Sequence, residues 1–207
     1  MEASTERAPR LIYIVKGNIY VNVTNACTAD CVFCPRRESA VIGGQDLRLD
    51  VSPDPADYVA AVLGALEVHP ATEVVFCGFG EPTIRMDVLE AVARSAHDRG
   101  LHVRLNTNGH GALFNGRPIL PDLRELIDSM CVSLNAGNEE RYEEIVRPSF
   151  PNSFGATIAF IEGALREGID VVATVVDTLS EDELAEAHTL AEKLGVPLRV
   201  RPWKDTW

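Results

Sequence analysis

The amino-acid sequence predicts a single α/β domain with a parallel β-sheet, and two observations support that prediction. Short, β-branched apolar runs alternate with helical patterns along the chain, and this alternation requires right-handed crossovers between parallel strands. The length of 207 residues, with 46% hydrophobic and 24% charged residues, suits one soluble domain. An open doubly wound sheet and a partial β/α barrel both satisfy the pattern, so the pattern alone leaves that choice open.

The predicted elements begin at residue 11, after a polar N-terminus (residues 1–10) that we expect to be disordered. Two apolar runs meet at a turn at 16–18, and the second run, 19–23, leads into a group of cysteines. Five further strands are predicted at 73–78, 102–106, 129–135, 170–176 and 197–201. Helices are predicted at 54–68, 86–99, 122–128, 153–167 and 181–194. Counted from Ile19, the pattern predicts six βα repeats that lack the last helix, within a single domain of residues 11–207.

The charge of the chain excludes several kinds of partner. Thirty-one acidic against 19 basic residues give a net charge of −12, and this field repels phosphate backbones and anionic membrane surfaces. We therefore expect neither nucleic acid nor a membrane as a partner. The N-terminus carries no apolar signal core, and no segment has the roughly 18 apolar residues that span a bilayer. We expect a cytoplasmic protein.

Three of the five cysteines, Cys27, Cys31 and Cys34, lie close together in a segment with little periodicity. An odd number of crowded cysteines does not suit paired disulfides, which favours a metal site in a reducing compartment. One loop turns three thiolates towards a common point, and a cubane with three protein ligands leaves one iron open. The alternatives are a zinc site completed by a distant histidine or by Cys77, and plain buried cysteines.

The C-x₃-C-x₂-C spacing, with Phe33 before the last cysteine, resembles the signature of the radical S-adenosylmethionine (SAM) superfamily. The resemblance implies an oxygen-sensitive [4Fe-4S] cluster on the three cysteines, with SAM chelating the open iron. In that superfamily the reduced cluster passes an electron to the sulfonium, the S–C5′ bond breaks, and a 5′-deoxyadenosyl radical abstracts hydrogen from the substrate. The cofactor supplies the chemistry and the protein positions it. An external electron donor, such as flavodoxin or ferredoxin, is implied as well.

The segment GFGEP at 78–82 resembles the superfamily's GGEP segment, with Phe79 in place of the usual second glycine. Its two glycines, Gly78 and Gly80, allow backbone to approach a ligand closely. The resemblance implies that Glu81 binds the amino group of SAM. The alternative is a tight strand-to-helix turn with an exposed glutamate.

Other polar residues stand at the ends of the later predicted strands. The segment NTNG at 106–109 resembles a superfamily TNG segment, which implies that Asn106 and Asn108 lie near SAM or substrate; Asn-Gly is also simply a good turn. Ser133 and Asn135 alternate, so we expect both on one face of the sheet, and the resemblance assigns that place to the ribose hydroxyls. They are alternatively strand-end caps. Arg201 is a candidate to bind the SAM carboxylate or an anionic substrate. The alternative is a solvated or paired charge.

Three expectations concern residues outside these motifs. Cys77 and Cys131, inside apolar strands, are predicted to be small buried hydrophobes. His110, just after the Asn-Gly pair, is predicted to be exposed to solvent. The acidic segment 139–144 is predicted to be a solvated helix face.

The superfamily pattern extends from residue 20 to residue 203 and selects the partial (β/α)₆ TIM-like barrel. The segments GNIYVNVTNACTADCVFCPR and RYEEIVRP resemble small radical SAM proteins associated with TatD-family nucleases. Because the sequence ends after the sixth strand, we expect an open lateral mouth, no domain for an auxiliary cluster, and room for a homodimer partner to close the site. We expect a radical enzyme with a small-molecule substrate. The alternatives are an activase acting on a protein or peptide, and a non-catalytic iron–sulfur sensor.

Overall fold

The computed structural model of the protein describes residues 10–42 and 44–203. Its first two strands, β1 (Ile12–Val15) and β2 (Asn18–Val21), form an antiparallel hairpin. Lys16 and Gly17 have positive φ angles of 50° and 83°, which suits the tight turn of a two-residue hairpin. Of the N-terminal segment predicted to be disordered, residues 1–9 lie outside the described residues.

After β2, a short antiparallel hairpin of β3 (Val41–Ile42) and β4 (Gln45–Asp46) forms a separate two-stranded sheet. Five parallel strands then continue the main sheet from β2. They are β5 (Glu73–Phe76), β6 (His102–Thr107), β7 (Ser129–Ser133), β8 (Asp170–Val176) and β9 (Leu198–Arg201). The order in the sheet is β1-β2-β5-β6-β7-β8-β9, and every pair from β2 onwards is parallel.

This strand order decides between the two architectures that the sequence pattern allowed. Each parallel strand lies beside the one that precedes it in the chain, whereas a doubly wound sheet reverses its order at a switch point. The expected partial, TIM-like barrel is therefore confirmed. In the described part of the chain, β1 and β9 are the two edges of a sheet that does not close.

Seven helices are described, and two short 3₁₀ turns occur at Pro35–Arg37 and Pro82–Ile84. The helices are α1 (Pro55–Leu66), α2 (Met86–His97), α3 (Gly111–Asn115), α4 (Leu120–Arg124), α5 (Glu139–Val146), α6 (Ser153–Arg166) and α7 (Glu181–Leu194). The predicted helix 122–128 is shorter and starts earlier, at Leu120. Among the described residues no helix is long and apolar enough to cross a membrane.

The two faces of the sheet differ in chemistry because side chains alternate along each strand. On β6, Val103 and Leu105 belong to the buried apolar core with the helices, while Arg104 and Asn106 point the other way. Cys131 of β7 stands beside Asn106 in the register. This second face, away from the helical layer, is called here the interior face, and it is the concave side of the partial barrel.

Candidate functional site

The cysteine loop, residues 22–38, leaves β2 and is held by the end of α5. The amide of Asp30 donates to the carbonyl of Val146 at 3.1 Å, and that of Val32 donates to Ile145 at 2.8 Å. Within the loop, the Arg36 guanidinium donates to the carbonyls of Asn25 (3.2 Å) and Ala29 (2.8 Å). The loop is therefore fixed by backbone hydrogen bonds although it has little regular structure.

Cys27, Cys31 and Cys34 are free and half-buried. Burial raises the pKa of Cys27 to about 11 and that of Cys31 to about 12, and the neighbouring Cys27 and Cys34 also raise the pKa of Cys31. No group of three or more histidine, cysteine or acidic side chains among the described residues is gathered closely enough to hold a metal ion. An iron–sulfur cluster does not need its cysteines to converge on a single metal ion, because each cysteine binds a different iron. Three free thiols on one loop are a suitable donor set for it.

Gly78 and Gly80 lie against this loop. A Cβ at Gly78 would overlap the side chain and Cα of Asn22, and one at Gly80 would overlap the carbonyls of Thr24 and Ala26. The amide of Glu81 donates to the same Ala26 carbonyl at 2.8 Å. The glycines therefore let the cysteine loop approach the end of β5 closely. Their predicted approach to SAM stays a prediction.

The carboxylate of Glu81 is buried, with the residue only 4% exposed. Its Oε1 accepts hydrogen bonds from the hydroxyls of Thr83 and Thr107, both at 2.7 Å, and its Oε2 accepts from the amide of Asn108 at 2.9 Å. Burial raises the pKa of Glu81, and these donors act against the rise. An exposed glutamate, the alternative that the sequence left open, is wrong. Binding of the SAM amino group by Glu81 stays a prediction.

Beside Glu81, a ring of five buried polar residues connects the cysteine loop to α5 and α6. The Asn108 Nδ2 donates to Thr28 Oγ1 (2.8 Å), which lies 3.1 Å from His110 Nδ1. His110 Nε2 lies 2.7 Å from the Tyr142 hydroxyl, which lies 3.1 Å from Thr157 Oγ1. Thr157 Oγ1 closes the ring by donating to the Asn108 carbonyl at 3.1 Å. Asn108 Nδ2 also lies 3.8 Å from the Cys27 sulfur.

The ring gives both imidazole nitrogens of His110 a hydroxyl partner, Thr28 at Nδ1 and Tyr142 at Nε2. A hydroxyl can donate to one nitrogen or accept from it, so either tautomer of the neutral imidazole is satisfied in the ring. Burial lowers the pKa of His110 to about 4, which keeps the ring neutral.

Two expectations are corrected here. His110, predicted to be exposed, has no exposed surface, and Tyr142, in the segment predicted to be a solvated face, has none either. The sequence did carry a signal for α5, because Tyr142, Ile145 and Val146 stand at i, i+3 and i+4 and form an apolar stripe. Cys77 and Cys131 are buried as predicted.

The remaining predicted site residues fall at the carboxyl ends of the strands. Asn106 lies on the interior face and accepts from Arg104 Nη1 at 3.1 Å. Ser133 ends β7 in the same row of the sheet as Thr174. Asn135 follows in the left-handed region, with φ 62°, so the strand alternation that placed it on the face of Ser133 does not extend to it.

Two polar atoms at this end of the sheet have no partner among the described residues. They are Oδ1 of Asn135 and Nε of Arg201, and both are buried. A buried polar atom without a hydrogen bond costs free energy, and in native folds such an atom is often the hydrogen-bond partner of a ligand or a water. Both belong to the residues predicted to contact SAM.

An open cavity of about 460 Å³ adjoins the cysteine loop. It is lined by Asp30, Arg36, Arg37, Arg48 and Phe79. Arg37 forms an ion pair with Asp30 at 2.6 Å. The indole Nε1 of Trp203 donates to the carbonyl of Phe33 at 2.9 Å, so the segment after β9 also contacts the loop.

Comparison with known proteins gives a family match and several similar folds. The family model of the radical SAM superfamily matches residues 21–191. Among solved structures, Streptococcus suis SuiB bound to precursor peptide SuiA has 15% identity and a TM-score of 0.66, over 87% of this chain and 38% of that one. Native anSMEcpe with bound AdoMet has 12% identity and a TM-score of 0.65, over 88% and 50%. Methylornithine synthase (PylB) has 13% identity and a TM-score of 0.60, over 90% and 53%.

These structural likenesses establish the fold alone, because the identities are 15% or lower. The chain spans between 38% and 53% of the length of these three proteins. The family match is a separate finding, and it covers most of the chain.

Proposed function

The chain belongs to the radical SAM superfamily, and on that premise we propose that it binds a [4Fe-4S] cluster through Cys27, Cys31 and Cys34 and cleaves SAM reductively. Members of this superfamily are enzymes. The observation that supports the proposal is the cysteine loop itself, with three free, half-buried thiols held at the carboxyl end of a parallel sheet. Active sites of barrel enzymes collect at that end.

When bound, the cluster and SAM supply one-electron cleavage of the S–C5′ bond, giving a 5′-deoxyadenosyl radical that takes a hydrogen atom from the substrate. The protein's contribution is to hold the three sulfurs in one place and to orient SAM beside them. The loop is held by backbone bonds to α5 and by the close approach of Gly78 and Gly80. External delivery of the electron, by a flavodoxin or ferredoxin, completes the proposal.

The proposed SAM contacts are the residues that the family resemblance indicated, at the ends of β5, β6 and β7. They are Gly78, Gly80, Glu81, Asn106, Asn108, Ser133 and Asn135. Arg201, at the end of β9, is the remaining residue of this set, and it contacts either the SAM carboxylate or an anionic substrate. The unpartnered Oδ1 of Asn135 supports an acceptor role towards a ligand hydroxyl. Glu81 and Asn108 contribute in a further way, because their hydrogen bonds join the ends of β5 and β6 beneath the cysteine loop.

The substrate is proposed to be a small molecule. The interior face carries polar side chains, such as Asn106, Ser133 and Thr174, and these suit a polar ligand. A protein or peptide substrate is the alternative, and substrate size separates the two. Release of 5′-deoxyadenosine with partner proteins but never with small metabolites would favour the activase.

Electron paramagnetic resonance tests the proposed function. The anaerobically reconstituted, dithionite-reduced protein is recorded without and with SAM, and we expect a [4Fe-4S]⁺ signal that changes shape when SAM is added. Cys34→Ala is expected to remove that signal, whereas Cys77→Ala, which alters a buried cysteine outside the loop, is expected to keep it. A cluster that ignores SAM would favour a sensor, and the absence of a cluster would end the proposal.

A further inference from the structure

Two arginines of the last strand, Arg199 and Arg201, lie on the interior face. They are two residues apart on β9, so their side chains share one side of the sheet. Leu198, which alternates with them, packs against the core on the helical side. Arg199 pairs in register with Thr174, and its Nη1 lies 3.9 Å from the sulfur of Cys131 on β7. The pair therefore projects into the concave side of the partial barrel.

A third arginine on the interior face, Arg104, has its charge balanced by a carboxylate of the protein, Glu73. Its Nε lies 2.8 Å from Oε1 of Glu73, and its Nη2 lies 3.1 Å from Oε2. This is a bidentate ion pair, the strongest arrangement for a guanidinium and a carboxylate. Arg104 also donates to Asn106 and to the hydroxyl of Tyr20. All of its charge is thus compensated inside the protein.

Arg199 and Arg201 have no such compensation in residues 10–42 and 44–203. Neither forms an ion pair with a carboxylate there, and the Nε of Arg201 is buried without a hydrogen-bond partner. Asp177, the acidic residue next to Arg201 across the sheet, uses Oδ1 to accept from the amide of Trp203 at 2.8 Å. Two neighbouring cations are therefore left facing the interior.

Arg199 is exposed and Arg201 is half-buried, so water can reach both guanidinium groups, and an anion can reach them as well. Only the buried Nε of Arg201 bears the cost of a missing hydrogen bond. The unpaired arginines also contrast with the rest of a protein whose net charge is −12, in which carboxylates are abundant. Arginine presents donors in a fork that matches a carboxylate or a phosphate. An anion from outside the chain would balance both charges.

We propose that Arg199 and Arg201 recognise an anionic group of the substrate, so that the substrate is a small molecule carrying a carboxylate or a phosphate. The hydroxyls of Ser133 and Thr174, in the same row as Arg199, are further donors for that group. The identification of the anion as substrate rests on the proposed function. Anion binding by the arginine pair does not, because it needs neither the cluster nor SAM.

Calorimetric titration of the protein with four anions tests the proposal. Phosphate and pyrophosphate probe one chemistry, and succinate and citrate probe the other, in a buffer of low ionic strength. At least one is expected to bind, and Arg199→Gln and Arg201→Gln are each expected to weaken it by about tenfold or more, since each removes a charge-assisted hydrogen-bond pair. Arg94→Gln, which alters an exposed arginine on α2 paired with Glu90, is the matched control and should leave the affinity unchanged.

Thermal unfolding separates recognition from a structural role. Without anion, the Arg199 and Arg201 variants are expected to unfold at the wild-type temperature or above it, because an uncompensated charge has been removed. With the bound anion present, the wild type is stabilised and the variants are not. Loss of stability in the anion-free variants would indicate a structural role and would overturn the proposal.

Two other results would contradict it. If none of the four anions binds, or if binding is indifferent to both substitutions, the arginine pair is not an anion site. If the substitutions instead weaken SAM binding to the reconstituted protein, and the anions compete with SAM, the pair holds the carboxylate of SAM. Failure of SAM to alter the paramagnetic signal, with anion binding intact, would reject the proposed function and leave the anion site standing.

Discussion

At the scale of single residues, the buried ring around His110 has the most consequences. Each member accepts or donates within the ring, from Asn108 through Tyr142 and back. A buried group that loses its partner bears the full cost of desolvation, which is larger than the net gain of making the bond. Single atoms in the ring therefore have measurable effects on the stability of the whole domain.

Tyr142→Phe removes the hydroxyl that lies 2.7 Å from His110 Nε2 and 3.1 Å from Thr157 Oγ1, and keeps the aromatic ring of the side chain. We expect a loss of about 1–3 kcal/mol in the free energy of unfolding, because the buried Nε2 of His110 is left without a hydrogen-bond partner. Denaturant unfolding measures it. Tyr20→Phe, at a half-buried hydroxyl with one long 3.3 Å hydrogen bond, should cost clearly less, and equal losses would contradict the role of the ring.

The pH dependence of stability reports on the neutral His110. Burial lowers its folded pKa from 6.5 to about 4, so between these two pH values the unfolded chain binds a proton at His110 and the folded chain does not. The contribution of His110 is therefore complete above pH 6.5 and falls, as pH decreases towards 4, by up to about 1.4 kcal/mol per pH unit.

Comparison of the wild type with His110→Gln, which cannot titrate, isolates this slope. Glu81 has a raised pKa, so its contribution to stability is lost as pH rises, opposite in sign to that of His110. Because both proteins contain Glu81, its contribution cancels in the comparison. The variant should be less stable at pH 7 and should lose less stability between pH 6.5 and 5. Parallel pH profiles for the two proteins would mean that His110 has the same pKa in the folded and the unfolded chain, and that its burial does not shift it.

At the scale of elements, the docking of the cysteine loop on the end of β5 depends on the absence of a side chain. Gly80→Ala would place a Cβ against the carbonyls of Thr24 and Ala26, which are backbone atoms that cannot turn aside. We expect a loss of about 1–3 kcal/mol in stability, as for other overpacked sites, together with less iron bound after reconstitution. Iron content per chain and denaturant unfolding measure the two effects.

Gly64→Ala is the matched control for this substitution. Gly64 lies on the exposed side of α1, and no atom stands within 4 Å of a Cβ built there. Alanine in a helix is favoured over glycine, so the variant should gain roughly 0.5–1 kcal/mol and bind iron like the wild type. A Gly80→Ala variant that behaves like Gly64→Ala would show that the loop is not packed as described.

The elements also show how far the sequence predicts the fold. The strand 170–176 and the helix 181–194 have the predicted bounds, because apolar runs and helix caps are local signals. The helix at 111–115 was not predicted, since five residues are too few for a helical period to register. The barrel-like strand order was chosen through the family resemblance, because the order depends on contacts between distant segments that no local pattern contains.

The candidate site was predictable to a similar degree. Spacing alone picked out the three cysteines, because one loop carries them. The burial of His110 and the internal role of Glu81 depend on Tyr142 and Thr107, which lie 32 and 26 positions away. Local sequence cannot show such partners, and an Asn-Gly turn or a GEP segment reads the same with or without them.

At the scale of the whole molecule, the cysteine loop contacts elements from most of the chain. It follows β2, its amides bind the end of α5, Gly80 after β5 packs on it, and the indole of Trp203 reaches Phe33 from beyond β9. A group that binds only to the folded loop stabilises every element that depends on it, by mass action. The effect of a cluster should therefore extend well beyond the three cysteines.

Hydrogen exchange before and after anaerobic reconstitution measures this effect. The amides of Asp30 and Val32, which donate to α5, are expected to exchange more slowly with the cluster bound, and the unfolding temperature of the whole domain should rise. Cys34→Ala should abolish both changes, and Cys77→Ala should preserve them. Protection confined to the loop, with no change in α5 and no rise in the unfolding temperature, would mean that the loop binds its cluster independently of the barrel. Protection in the Cys34→Ala variant would mean that iron binds elsewhere.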